Sequence, residues 1–419
     1  MKDLIIGIDI GTTKVLTVVA RVSKERTISG IAGYGFSRAR GLQKGVVVDF
    51  EEARASVEDS VRAAEKMAGI KIKRAYLSIS GSHIRSTTTH SMLTVSKYPR
   101  EINLADKKRL EDLVKNRIEG PDSHVVHRVT YKCQIDDGGI VKSPVGMVGC
   151  RIEADVHIVL GKVNSIESIV KCVKNLGITV EGLAIEALAA SKAVLTDTEE
   201  QMGVALADIG GETTDIAIFK NNELIYSEVI PMGGEHFTRD IATVLGISLS
   251  SAESLKRSLQ SLEEEGKEKV EVSTSQSSKP KEVNVGYVKS IINSRTEELL
   301  EHIYGVIMSS NHSGAIRSGM VLTGGAAQTI GLLEKGKRFF GTPVRIGTPD
   351  ANLKVLDKIN ILEAASAIGL LLYSLEGNED NSYDGELERQ DKSSKGSIFG
   401  INFGSLVDAI YGKRGGEDK

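Results

Sequence analysis

The stretch IGIDIGTTKVLTVV, residues 6–19, decides how this chain is read. An apolar run ends in Asp9, the chain turns through Gly11-Thr12-Thr13, and a second apolar run leaves. Short apolar runs bounded by glycine read as buried strands. The design returns in VALADIGGETTDIAIF, residues 204–219, with Asp208, Gly210-Gly211 and Thr213-Thr214 in the matching places. Two copies about half a chain apart predict two lobes of one plan. A third glycine turn lies in VLTGGA, residues 321–326, where Gly324, Gly325 and Ala326 follow another apolar run.

A glycine-rich turn exposes consecutive backbone N–H groups and lets the backbone approach a phosphate closely. The hydroxyls of Thr12, Thr13, Thr213 and Thr214 add donors. Two such turns facing each other would hold a polyphosphate from both sides. Asp9 and Asp208 would then repel it unless a cation lies between. Mg²⁺ suits that place, because it binds through few carboxylates together with waters and phosphate oxygens. Asp9, Asp208 and Asp215 fit as its carboxylates, the first two through waters, and Lys14 would add positive charge at a phosphate. Taken singly, each turn is also an ordinary hairpin with Asp and Gly as turn residues; the matched repetition favours the phosphate reading. No G-x-x-x-x-G-K-[ST] stretch exists, so a Walker-type loop is not the source.

At 419 residues the chain exceeds what one core holds, and two or more domains are expected. Its 40% hydrophobic and 26% charged content is that of a soluble globular protein. A formal charge of −3 offers no basic excess for nucleic acid. Cys133, Cys150 and Cys172 are odd in number and lack metal spacing, which reads as reduced core thiols of a cytosolic protein. The N-terminus enters a strand directly, without a signal-peptide pattern, and no apolar run approaches the roughly 20 residues of a membrane span. A cytoplasmic protein is expected unless a terminus tethers it.

Strands are expected over 4–20 and 27–36, a helix over 50–68 ended by Gly69, and a strand over 75–79. Residues 82–160 change character: long β-branched stretches at 83–95, 125–135 and 151–160 surround one charged helix at 104–118. That pattern predicts an inserted α+β subdomain. The first lobe would then be 1–81 with 161–200, and the second 201–233 with 311–375. Residues 234–310 would form a small subdomain carrying helices at 234–245, 250–259 and 285–308. The Glu/Lys/Ser-rich 262–281 reads as a surface loop. The overall class is α/β, two-lobed, with an interlobe cleft.

The order Asp-x-Gly-Thr, Asp-x-Gly-Gly-x-Thr-Thr-Asp, Thr-Gly-Gly-Ala resembles the actin, sugar-kinase and Hsp70 superfamily. Further stretches resemble the FtsA family of bacterial cell-division proteins: Arg40-Gly41-Leu42-Gln43-Lys44-Gly45, Ser80-Gly81-Ser82-His83-Ile84, Ser143-Pro144-Val145-Gly146-Met147, Glu153-Ala154-Asp155-Val156-His157, Ala252-Glu253-Ser254-Leu255-Lys256 and Ile292-Asn293-Ser294-Arg295-Thr296-Glu297-Glu298. The resemblance implies an actin-like fold with an extra subdomain in the first lobe, binding ATP with Mg²⁺ in the cleft. It implies that Glu253 and Lys256 flank the base and ribose, that the Gly324 turn borders the adenosine, and that Glu186 positions the attacking water. As a helix-start carboxylate, Glu186 is equally explained by the dipole. The family further implies self-assembly into filaments, binding of the FtsZ C-terminal tail by the small subdomain, recruitment of later division proteins, and a place on the inner face of the cell membrane. Arg295 and Glu298 are candidates for the FtsZ contact, although they read equally as the solvated face of a long helix. The alternatives are a pilus-assembly or chaperone-like ATPase of the same superfamily, or a small-molecule kinase. A kinase needs a catalytic carboxylate and substrate pocket in the first lobe, and 82–160 offers none.

Two other signals carry no chemistry. His124 and His127 sit at i and i+3 of an expected strand, on opposite faces. His236 has no nucleophile beside it. The C-terminus says more. At 3.6 residues per turn, Phe399, Phe403, Leu406, Val407 and Ile410 share one face of a helix over 398–414. Lys392, Lys395, Lys413 and Arg414 flank it. The polar stretch 376–397 would be a flexible linker, with a reach of roughly 25 Å. An amphipathic anchor on anionic lipid is expected, and a terminal helix docked on its own domain is the alternative. Gly400 and Gly404 each cost about 1 kcal/mol of helix stability, so the helix should form only at the interface.

Overall fold

The computed structural model describes residues 4–118, 120–273, 280–349 and 361–376. In the first lobe, β1 (Leu4–Ile10), β2 (Lys14–Val22) and β3 (Ile28–Arg38) form an antiparallel meander. Helix α1 (Phe50–Ala68) covers it. The Asp49 carboxylate caps the Glu52 N–H at 3.0 Å, and Gly69 closes the helix with φ of 68°, as the sequence predicts. Its inward face is small, with Ala53, Ser56, Val57, Ser60, Val61 and Ala64 buried. β4 (Arg74–Ile79) then joins β1 in parallel.

The insert follows. β5 (Ile84–Thr94), α2 (Leu104–Ile118), β6 (Ser123–Ile135) and β7 (Arg151–Lys162) make a sheet with a helix on one side, around a core of its own that includes Ile102, Leu110, Ile152 and Ile158. The chain returns to the first lobe through α3 (Val163–Lys174), β8 (Thr179–Ile185) and α4 (Glu186–Val194). The completed first sheet runs β8-β4-β1-β2-β3.

After α5 (Asp197–Met202), the second lobe repeats the plan with β9 (Val204–Ile209), β10 (Thr214–Lys220) and β11 (Glu223–Ile230). The small subdomain is α6 (Gly234–Leu245), α7 (Leu249–Glu264), the hairpin β12 (Lys269–Val272) with β13 (Lys281–Asn284), and α8 (Val285–Ser309). The segment expected to be a surface loop thus supplies the end of α7 and the first strand of a hairpin. Val272 within it, and Val283 just after it, are buried against the α7–α8 core, and these apolar residues outweigh the polar composition around them. β14 (Met320–Thr323), α9 (Leu332–Phe340) and β15 (Val344–Ile346) finish the lobe, its sheet running β11-β10-β9-β14-β15, while α10 (Ala365–Leu375), expected in the second lobe, crosses back and packs Ala367, Ile368 and Leu371 against Leu16, Val18 and Ile31 of the first sheet. Each lobe therefore holds three antiparallel strands and two parallel ones in the same order. A 3-10 turn, Ile361–Ala364, tighter than an α-helix, precedes α10.

The insert also leans on the second lobe. The Ser86 hydroxyl donates to the Ser227 carbonyl, and His157 Nε2 lies 3.0 Å from the Ser227 hydroxyl. This covers β11, the edge strand of the second sheet. The linker 377–397 and the amphipathic stretch 398–414, with Phe399, Phe403, Leu406, Val407 and Ile410, lie outside the described residues. Among the described residues no helix is long and apolar enough to cross a membrane.

Candidate functional site

The site forms where the two sheets point their parallel strands at each other. Asp9 stands opposite Ser78 on β4, and Asp208 opposite Thr323 on β14. The two turns after them, Gly11–Lys14 and Gly210–Thr213, line one narrow compartment together with Gly324, Gly325, Ser80 and Glu186. Close approach dictates the glycines here. A Cβ on Gly211 would lie 2.3 Å from Thr13 Cγ2 of the other lobe. One on Gly324, whose φ is +86°, would lie 2.3 Å from Asp208 Oδ1.

Four carboxylates converge behind the turns. Asp9, Asp208, Asp215 and Glu186 are 2%, 3%, 2% and 9% exposed. Three of them each accept from a serine: Asp9 from Ser78 at 2.7 Å, Asp215 from Ser80 at 2.5 Å, Asp208 from Ser366 at 2.7 Å. Burial, with the neighbouring acids, pushes Asp208 up to about 6 and Asp215 up to about 8, against the pull of their serines. Burial raises Glu186 well above the usual range, helped by Asp9, Asp215 and Asp208. The compensating cation is Lys14, whose ammonium is 3.0 Å from Asp9 and also donates to the Glu363 carbonyl. Burial opposes its charge, but Asp9 first and then Glu186 and Asp208 outweigh this and raise its pKa.

So much buried negative charge beside one lysine calls for more positive charge or for protons. The donors are carboxylate and hydroxyl oxygens, the hard set that Mg²⁺ takes. Among the described residues no three His, Cys, Asp or Glu side chains could hold one ion together. A Mg²⁺ here would need waters and phosphate oxygens as its remaining ligands. The residues present fit a Mg²⁺–polyphosphate in chemistry but not yet in volume: the inner compartment measures about 40 Å³, room for a few waters. A phosphate needs the two turns to part and Lys14 to leave the Glu363 carbonyl.

An outer compartment of about 390 Å³ adjoins it, of a size that suits a small molecule. Glu253, Lys256, Arg257, Gln260 and Ala326 line it. Lys256 bonds Glu253 at 2.6 Å and the Gly234 carbonyl at 2.9 Å. Burial would raise Glu253, but hydrogen bonds from Lys256, Thr238 and Arg257 prevail and hold it down at about 2. Arg257 reaches Glu363 at 3.3 Å across the opening.

Gly11, Thr12, Thr13, Lys14, Gly210, Gly211, Thr213, Gly324 and Gly325 thus line the inner compartment, and Glu253, Lys256 and Ala326 the outer. Thr214 lines neither: it is fully buried, and its hydroxyl donates to the Met232 carbonyl at 2.7 Å. Glu186 opens α4 at the cleft floor. Arg295 lies elsewhere and is not a simple solvated face. Its guanidinium grips both oxygens of Asp240 at 2.6 and 2.9 Å and Glu298 at 2.6 Å. His236 caps its own helix, accepting from the Gly233 N–H at 3.1 Å. His127 accepts from the Ile185 N–H at 3.1 Å.

Several cleft residues escaped the sequence reading. Ser78, Ser80 and Ser366 have no spacing that marks them as partners of distant aspartates. Glu212, inside the second turn, accepts from the Lys44 N–H at 2.7 Å and from Arg239. It thereby ties the first-lobe loop at 40–45 to the second lobe.

Comparison with known proteins agrees with this layout. A family model described as cell division protein FtsA matches residues 205–369, and one described as the SHS2 domain inserted in FtsA matches 81–160. The cell division protein FtsA of Pseudomonas aeruginosa is 35% identical over 90% of this chain and 90% of its own. That of Escherichia coli is 33% identical over 94% and 96%. Among solved structures, a PilM–PilN type IV pilus biogenesis complex aligns with TM-score 0.60 at 14% identity, covering 88% of this chain and 98% of that one. MreB5 of Spiroplasma citri bound to ADP aligns with TM-score 0.52 at 15% identity, covering 91% and 99%. These likenesses establish the actin-like fold. The relatives, at a third identity over nearly the whole length, establish more: this chain belongs to the FtsA family of cell-division proteins.

Proposed function

We propose that the chain binds Mg²⁺–ATP in the cleft, assembles head to tail with copies of itself, and tethers FtsZ filaments to the inner face of the cell membrane. The observation that carries the nucleotide part is the matched pair Asp9 and Asp208, each behind a glycine turn, facing across one compartment. In this reading the turns, with Thr12, Thr13 and Thr213, would hold the phosphates, Lys14 would move from Glu363 to a phosphate, and Asp9, Asp208 and Asp215 would hold Mg²⁺ through its waters. Glu186 holds a water at the cleft floor, and Glu253 and Lys256 flank the base and ribose. The insert supplies a longitudinal contact, because like subunits related by a rotation that does not close make an open filament. The 234–310 subdomain receives the FtsZ tail, with Arg295 and Glu298 as contacts, and the assembly recruits later division proteins. The stretch 398–414 binds anionic lipid weakly, and many copies along a filament raise that to a firm attachment. Calorimetry of ATP with and without Mg²⁺ tests the core of this. Affinity indifferent to Mg²⁺ would overturn the cation assignment.

A further inference from the structure

The first-lobe sheet has two ends. One carries Asp9, Lys14, Ser78 and Ile185, at the cleft. At the other end Leu4 pairs with Arg21, and Thr179 pairs with Arg74. The loops at this far pole are basic. The β2–β3 turn brings Arg21, Lys24 and Arg26, and the lead-in to β4 brings Lys71, Lys73 and Arg74, all exposed. Glu25, Glu65 and Glu181 oppose them, of which Glu65 pairs with Lys71 and Glu181 with Arg74. Those pairs remain open to solvent, since the Lys71 and Arg74 side chains are 81% and 58% exposed. Both loops leave the sheet at the same end, where Leu4 pairs with Arg21 and Thr179 with Arg74, so they present one surface.

The same pole is where the described chain ends. α10 starts in the cleft, with Ser366 on Asp208, and finishes with the Leu375 carbonyl accepting from Arg26 at 3.1 Å. Residues 377–419, with the amphipathic stretch, continue from this point. The exit has an acidic side as well. Glu376 pairs with Lys192 at 2.8 Å and faces Glu200 and Glu223, whose carboxyls are raised by burial first and by Glu376 in addition. Those two glutamates belong to α5 and β11, toward the second lobe, so the basic surface is on the first-lobe side of the exit.

From the charge of this pole and the position of the chain exit, we infer that the pole is a second membrane contact, taking the anionic headgroups of a lipid bilayer. The inference rests on the tethering function proposed above and deepens it. A bilayer attracts exposed lysines and arginines within a Debye length. A tail that emerges at the pole, on a linker with a reach of roughly 25 Å, holds the pole near the bilayer and lets it come within that distance. Two contacts, one apolar and one electrostatic, would set which way the body faces on the membrane as well as hold it there.

The test is co-sedimentation of the full chain with phosphatidylglycerol vesicles and with phosphatidylcholine vesicles. Three forms are compared: the native chain, the triple variant Lys24→Gln, Lys71→Gln, Lys73→Gln, and Phe403→Glu. The triple variant should bind anionic vesicles at least ~10-fold more weakly, with a shallower salt dependence, while neutral-lipid binding and ATP affinity stay unchanged. Lys24→Glu alone, on an exposed turn, serves if the triple variant folds poorly, and should give a loss of roughly 5-fold or more. Native binding by the lysine variants, with the same salt dependence, would overturn the inference. So would equal losses on both lipids, or tight binding of soluble polyphosphate that survives in the presence of vesicles. Phe403→Glu separates the two readings. If it leaves binding intact, the tail anchor fails, and the lysine variants still report on the pole.

Discussion

Replacing Asp208 by asparagine should make the nucleotide-free protein more stable and less able to bind Mg²⁺–ATP. Burial holds the Asp208 carboxyl up at about 6, above its ordinary 3.8. A carboxyl whose folded pKa is raised favours the folded state while protonated. That stability is fully present below pH 3.8 and is lost as pH rises through about 6. A pKa that differs by one between the folded and unfolded chain is worth ~1.4 kcal/mol, so the charged form costs on the order of 3 kcal/mol at pH 8 and about half that at pH 5. Asparagine carries no charge, and its carbonyl still accepts the Ser366 hydroxyl that now bonds Asp208 at 2.7 Å. Allowing about 1 kcal/mol for the weaker neutral hydrogen bond leaves a gain of ~2 kcal/mol at pH 8. For a lobe of this size that is an increase of about 4–8 °C in melting temperature. Thermal melts of both proteins at pH 5 and pH 8, without nucleotide, read it directly. The gain should shrink towards pH 5, and saturating Mg²⁺–ATP should stabilise the native protein but not the variant. A gain equal at both pH values, or none, would refute the buried-charge argument. Unaltered Mg²⁺–ATP affinity would remove Asp208 from the ion's surroundings.

Three further outcomes are expected. Gly324→Ala places a methyl 2.3 Å from Asp208 Oδ1 at a φ of +86°, and should cost about 2–3 kcal/mol in denaturant melts and weaken ATP binding in calorimetry. Arg295→Glu sets a third carboxylate beside Asp240 and Glu298, so a melt should show a loss of about 1–2 kcal/mol. If FtsZ-tail peptide binding by fluorescence anisotropy is then equal to native, Arg295 leaves the proposed contact. Replacing 82–160 by a short linker should preserve ATP binding and abolish filaments in electron micrographs, and normal filaments would refute the insert's longitudinal role.

What could be read in the sequence was what local chemistry fixes. The 50–68 helix was legible to the residue, because apolar and alanine positions repeat at helical spacing and Gly69 ends it; the Asp49 cap was seen only in the structure. The glycine turns were legible as a set because they repeat, and at Gly211 and Gly324 a Cβ would meet Thr13 or Asp208 at 2.3 Å. The segment at 262–281 misled because its polar residues outnumber Val272, although that residue, with Val283 across the hairpin, does the packing. Thr214 misled for a simpler reason. Adjacent strand residues face opposite ways, so of Thr213 and Thr214 only one can face the cleft. Ser80 and Ser366 were beyond reach, since each meets its aspartate across 135 and 158 residues of chain. The closure of the cleft was equally hidden. It depends on Thr13 meeting Gly211 of the other lobe and on Lys14 reaching the Glu363 carbonyl 349 residues away, contacts that no local pattern encodes. Sequence could therefore name the groups that would hold a phosphate. That a lysine and a main-chain carbonyl now stand together there is a property of the tertiary fold. The same lysine that must leave is the cation that offsets Asp9, Glu186 and Asp208, so a phosphate arriving without Mg²⁺ would take Lys14 away and leave those carboxylates uncompensated. Cation and nucleotide should enter together for that reason, and ATP binding measured by calorimetry in a chelator should be weak at pH 8 and recover as pH falls through the range where Asp215 and then Asp208 take up protons.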